Sequence, residues 1–197
     1  MMLLDQAVRL SEMILAFAVA QQSVEYIRGF RPEKWYGIIS LVLSVLLLAG
    51  FQIVYVEAGL LLVAVIMLHR FQGPYNGGSD CITILVLLCL FLSHIASTVF
   101  WKEIALGYLA FQLCFSYFQS GYIKIINADW RNGTALRDVF SITAYPVSDQ
   151  VREWSKSPRL LLVMSWVVII FELAFPFSLL NEMLLIVALF IAVIFHF

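Results

Sequence analysis

The stretch from Ser120 to Leu136 reads Ser-Gly-Tyr-Ile-Lys-Ile-Ile-Asn-Ala-Asp-Trp-Arg-Asn-Gly-Thr-Ala-Leu. It follows an apolar run that ends Tyr117-Phe118-Gln119. A lysine, a tryptophan, an arginine and a turn therefore gather where a helix made for lipid stops. A lysine held between an apolar helix and an aromatic turn can be desolvated, and a desolvated amine can serve as a general base. Lys124 is the residue for that role. The plainer reading is that Lys124 snorkels from a helix end into headgroups, and spacing alone favours it. Asn132-Gly133-Thr134 spells a glycosylation sequon, but Asn132-Gly133 has a sufficient reason as a turn.

Other ionisable residues fall inside apolar runs, where burying a charge is expensive and marks candidates for function. These are Glu12, His94, Glu172 and His196. Glu172 sits in Phe171-Glu172-Leu173-Ala174-Phe175-Pro176, and pairing with an arginine or histidine of a neighbouring helix would account for it equally well. For His94 the plainer reading is a hydrogen-bonded core histidine. His69 adjoins Arg70 and is expected at the interface. No metal is expected, because the histidines are scattered without His-x-x-x-His or Glu-x-x-His spacing. No Gly-x-Ser-x-Gly elbow and no phosphate-cradling loop is present. Cys81, Cys89 and Cys114 read as small buried hydrophobes. Cys81 and Cys89 stand roughly 12 Å apart along a helix, too far for a disulfide.

The elements that must carry these residues are apolar helices. Of 197 residues, 62% are hydrophobic and 13% charged, and the mean hydropathy is +0.94. A soluble domain carries about 25% charged residues. The expected class is an all-α integral membrane protein. The net charge of −1 gives no hold on nucleic acid. Glu12, Gln21, Gln22 and Glu25 interrupt the first run, so it is not read as a signal peptide.

Apolar runs cover 8–27, 36–54, 56–69, 81–100, 104–123, 159–180 and 183–197. One helix over 36–69 would measure about 50 Å against a hydrocarbon core of about 30 Å. Two helices turning near Gly50 to Gly59, with Glu57 at the interface, fit better. About seven crossings then place Arg28 to Lys34, Arg70 and the cations from Lys124 to Arg159 on one side. Arg9 and Lys102 lie on the other. Pro32 suits a first helical turn, and so does Pro158 after Ser157. Asn76-Gly77-Gly78 reads as a turn, with Ser79 or Asp80 as cap. Pro176 should kink its run. The polar loop 124–158 should carry a short surface helix over 148–156, with Val147, Val151 and Trp154 on one face.

Separated pieces together resemble one family. They are Asn76-Gly77-Gly78-Ser79-Asp80, Tyr117 to Lys124, Trp130-Arg131-Asn132-Gly133-Thr134-Ala135-Leu136, and Phe171-Glu172 with Pro176 and Phe195-His196. Their order and spacing resemble the HTTM domain, the membrane part of vitamin K-dependent gamma-carboxylases and their bacterial relatives. The resemblance covers about residues 8–197, most specifically in Gly-x-x-Lys followed by Trp-x-x-Gly-Thr-Ala-Leu. In the carboxylases the lysine of this motif is the base implicated in activating the reduced quinone.

The resemblance implies that Lys124, Glu172 and His196 are catalytic. It implies that Trp130, Arg131, Tyr117 and Gly133 bind the cofactor, a lipid quinone. The chain departs from the family in four ways. It has no histidine in the turn before the fourth helix, and these 197 residues hold no counterpart of the large soluble domain. It also stops inside an apolar run, where 183–197 would span about 22 Å. Orientation differs as well, since the carboxylase lysine faces the lumen and the charge count places Lys124 on the cytoplasmic side.

A single HTTM-like domain over 1–197 is expected, truncated or completed by a membrane protein partner at its C-terminal end. The leading expectation is a quinone-linked modifying enzyme, carboxylase- or oxidoreductase-like. The alternative is a non-catalytic accessory or anchoring subunit of a larger membrane complex. A transporter is the weaker third reading, because no matching pair of broken helices appears in two halves.

Overall fold

A computed structural model describes residues 2–29, 34–70, 78–142 and 148–196. For residues 2, 78, 79, 150, 151, 195 and 196 it describes the backbone alone. Among the described residues every regular element is helical, as the composition requires. Pro32, Asn76-Gly77, Tyr145-Pro146 and Val147 lie outside the described residues, as do the side chains of Ser79, Val151 and His196.

The residues fall into two compact units, Met1–Ala110 and Phe111–Phe197. The first holds α1 (Met2–Arg28), α2 (Lys34–Ala49), α3 (Ile53–Arg70) and α4 (Gly78–Ile95). Each packs on the next, and α1 also meets α4, so the four helices close a ring. Val8, Leu15, Ala16, Leu47, Leu60, Leu87 and Leu90 fill its core. The split of 36–69 occurs as expected, with α2 ending at Ala49. Gly50 N–H donates to Leu47 O at 3.0 Å and Phe51 N–H to Leu46 O at 3.0 Å, the paired bonds of a Schellman stop. Glu57 departs from expectation. It is buried inside α3 rather than interfacial, because the turn falls a full helical turn before it.

α5 (Val99–Ile126) contributes its first residues to one unit and the remainder to the other. It begins after a break at Ala96–Thr98, so the apolar run 81–100 is not one helix. In the second unit follow α6 (Ala128–Arg131), α7 (Thr134–Ser141), α8 (Asp149–Glu153) and a 3-10 turn over Trp154–Lys156. The helix expected over 148–156 is thus α8 and this turn. α9 (Pro158–Ala174) starts with Pro158 in its first turn, and Ser157 is its N-cap residue without a side-chain cap bond. Pro176 does more than kink the run. α9 ends at Ala174, and Phe175–Leu180 winds as a 3-10 helix because proline supplies no N–H to continue the α-helix. α10 (Glu182–His196) is the last element. Cys114, Phe175, Ala188 and Ala192 form the core here.

Among the described residues two segments are long and apolar enough to cross a membrane, Ile53–Arg70 and Pro158–Leu180, with mean hydropathy 1.9 and 2.3. The seven crossings expected from the apolar runs are not supported by this measure. Lys34–Ala49, Asp80–Ile95 and Glu182–Ile194 are apolar but shorter. α1 and α5 are long, but charges such as Asp5, Arg9, Glu12, Lys102 and Glu103 interrupt them. Asp80 lies within α4 rather than capping it, and its Oδ1 accepts from Gln22 Nε2 at 3.1 Å. Cys89 and Cys114 are buried as expected, whereas Cys81 is exposed.

Candidate functional site

Lys124 lies in the last turn of α5, and its side chain is only 15% exposed. It does not snorkel outward. Its Nζ donates to both carboxylate oxygens of Glu172, at 2.7 Å each, and to Ser120 Oγ at 2.6 Å. Ser120 Oγ in turn donates to Glu172 Oε1 at 3.2 Å. Ser120 and Lys124 are four residues apart on α5, so they share a helix face. Glu172 reaches them from α9.

Gly121 makes this approach possible. A Cβ there would lie 2.9 Å from Leu173 N and 3.0 Å from Glu172 Cβ. Any side chain would push α9 away from the lysine. The glycine of Gly-x-x-Lys is therefore a packing residue for the pair.

The loop after α5 covers the amine. Asn127 caps α6, its Oδ1 accepting from Asp129 N–H at 2.8 Å. The indole of Trp130 then stands 5.0 Å from Lys124 Nζ, a cation–π distance. The chain reverses at Gly133, whose φ of 78° suits glycine. A Cβ there would meet Leu162 N at 2.8 Å and Leu161 C at 2.9 Å. Gly133 thus lets the loop lie on the backbone of α9. Ser165 Oγ donates to Trp130 O, and Trp166 Nε1 donates to Arg131 O at 3.2 Å. Arg131 Nη1 returns to Ile125 O at 2.8 Å.

The predicted residues divide accordingly. Lys124, Glu172 and Trp130 come together, and Gly133 shapes the loop. Arg131 holds loop backbone and is not among the partners of Lys124. Tyr117 lies two turns earlier on α5, stacked on Phe175 at 4.2 Å and edge-on to Phe171 at 5.9 Å. The side chain of His196 lies outside the described residues. Sequence reasoning missed Ser120 as a ligand of the pair, and Ser165 and Trp166 as anchors of the loop. The available signal was a serine one turn before the lysine.

A second polar cluster occupies the first unit. Arg9 Nη1 meets Glu12 Oε2 at 2.7 Å and donates to Leu47 O at 2.9 Å, while Nη2 donates to Leu48 O at 2.6 Å. Glu12 Oε1 lies 2.5 Å from His94 Nε2, and Glu57 Oε1 lies 3.9 Å from the same nitrogen. Glu12 and His94 were read from sequence as intramembrane candidates. Arg9 and Glu57 were not, because Glu57 was placed at the interface and Arg9 was counted among the cations on one side of the membrane.

Searches of curated proteins and of solved structures found no match. The HTTM domain model matches residues 93–197, a shorter stretch than the 8–197 expected, and one that leaves Arg9, Glu12 and Glu57 of the second cluster outside it. The match takes in Gly121, Lys124, Trp130, Gly133 and Glu172, the residues that build the covered ion pair, and this chain belongs to the HTTM domain family.

Proposed function

We propose that this chain is a multi-pass membrane protein of about seven spans, in which the Lys124 loop binds the ring of a lipid quinone. In this reading it is a carboxylase-like or oxidoreductase-like modifying enzyme. The observation that carries the proposal is the buried Lys124–Glu172 pair beneath Trp130. In this reading a proton passes from Nζ to the carboxylate across their 2.7 Å contact, which leaves the net charge of the site unchanged. The amine freed in that step can take a proton from a hydroquinone hydroxyl as a general base. Low-polarity surroundings keep such a neutral rearrangement affordable, because separated charges would lack solvation there. Tyr117, Phe171 and Phe175 form an aromatic group near the same helices. Phe171 and Phe175 also line an open apolar groove of about 320 Å³ with Val187 and Ile191, suited to an isoprenoid tail.

One observation favours a second reading, an accessory subunit held by a membrane protein partner. Lys124 Nζ already has Glu172, Ser120 and the Trp130 face around it. A cation so fully engaged can serve purely to lock the loop onto α9.

Mass spectrometry of the detergent-purified chain separates the two. The enzyme reading expects co-purified quinone, retained by the folded protein and lost in Lys124→Ala and Trp130→Ala. No quinone, no uptake of added menaquinone, and a stoichiometric membrane protein partner would replace it with the subunit reading.

A further inference from the structure

The geometry points to a divalent transition-metal site in the first unit, built by Glu12 of α1, Glu57 of α3 and His94 of α4. One ligand atom from each of these residues lies within 4.8 Å of the others. A tetrahedral ion with ligands at about 2.1 Å sets those ligands about 3.4 Å apart. The observed separations from His94 Nε2 bracket that value, at 2.5 Å to Glu12 and 3.9 Å to Glu57. Shifts of about 1 Å at each carboxylate, within side-chain reach, would bring the set to coordination geometry.

Glu57 supplies the independent observation. It is 0% exposed, and among the described residues neither of its carboxylate oxygens has a hydrogen-bond partner. A buried carboxyl group without a partner is costly. It faces the only imidazole of the cluster and, beyond it, a second carboxylate. A cation between them would satisfy Glu57 and join three helices of the ring.

The outer contacts suit such a site. Arg9 holds Oε2 of Glu12 and leaves Oε1 turned to His94. A positioned carboxylate of this kind is how outer partners orient a metal ligand. Arg9 is itself fixed by the carbonyls of Leu47 and Leu48 at the end of α2. The donor set of two carboxylates and one imidazole suits Zn2+, Mn2+ or Fe2+ over thiophilic ions. The motif was invisible to spacing rules, since its ligands come from three separate helices.

The test uses the full chain in detergent, stripped with EDTA and equilibrated with Zn2+ or Co2+, in a Cys81→Ser background. One equivalent of Zn2+ per chain is expected by elemental analysis. Glu57→Gln and His94→Ala should each weaken binding by at least roughly 10–100-fold, the loss typical of even an outer-shell partner. The Co2+ form should show the visible spectrum of nitrogen and oxygen ligation without a thiolate band, a readout independent of whether the variants fold. No bound metal, equal binding by both variants, or a thiolate-ligated or simple aquo Co2+ spectrum would each overturn the site.

Discussion

The two units bury their charges in opposite ways. In the second, Lys124 and Glu172 balance one for one, and Ser120 fills the remaining contacts. In the first, Arg9 balances Glu12, and among the described residues Glu57 accepts no hydrogen bond and has only His94, at 3.9 Å, beside it. A balanced pair is closed and holds its own elements together. An unbalanced carboxyl group is open and needs something more. The difference teaches where to look for an added ligand and where to look for a proton that moves internally.

The largest effect should come from unbalancing the closed pair. Lys124→Ala strands Glu172 in a buried place, and losing one partner of a buried pair costs about 3–5 kcal/mol. Denaturant unfolding in micelles measures it. Lys124→Met combined with Glu172→Leu should recover most of that loss, and failure to recover would mean that the pair does more than balance charge.

Gly133→Val comes next. It forces a β-branched side chain to φ 78° and into the backbone of Leu161 and Leu162. Strain alone costs about 1–3 kcal/mol, and the clash adds to it. Proteolysis at the loop and a changed Trp130 fluorescence would report the displacement. An unchanged loop would show that Trp130 is held without Gly133.

In the first unit, Glu12→Gln should cost about 1.5–3 kcal/mol, the worth of charged hydrogen bonds to Arg9 and His94. Glu57→Gln should be the smallest, within about 1 kcal/mol in metal-free protein, because among the described residues its carboxylate accepts no hydrogen bond that the change would remove. If the two substitutions proved equally costly, the contrast between the open and closed carboxylates would fail.

Much of the helical architecture was legible in advance. The break after Ala49 followed from length, since no single helix of 36–69 fits a bilayer. Pro158 marked a helix start and Pro176 a kink, because proline cannot donate to the ladder, though at Pro176 the α-helix ends outright. Lys124, Trp130 and Gly133 stood out because a cation and a turn are rare among lipid-facing residues. Glu57 was misread because its distance from the turn could not be known to within one helical turn. That error alone decided between an interfacial charge and a buried one. Ser120, Ser165 and Trp166 were overlooked because serine and tryptophan in apolar runs have ordinary explanations.

Sequence by itself determined that this is an apolar all-helical chain of the HTTM family, with Lys124 and Glu172 among its costly residues. Local rules reach that far, because hydropathy, proline and turn chemistry act on neighbours along the chain. Only the tertiary structure decided that Glu172, 48 positions away, is the partner of Lys124, and that Glu12, Glu57 and His94 converge from three helices. Helix packing sets which faces meet, and a rotation of one residue, about 100°, would separate either group.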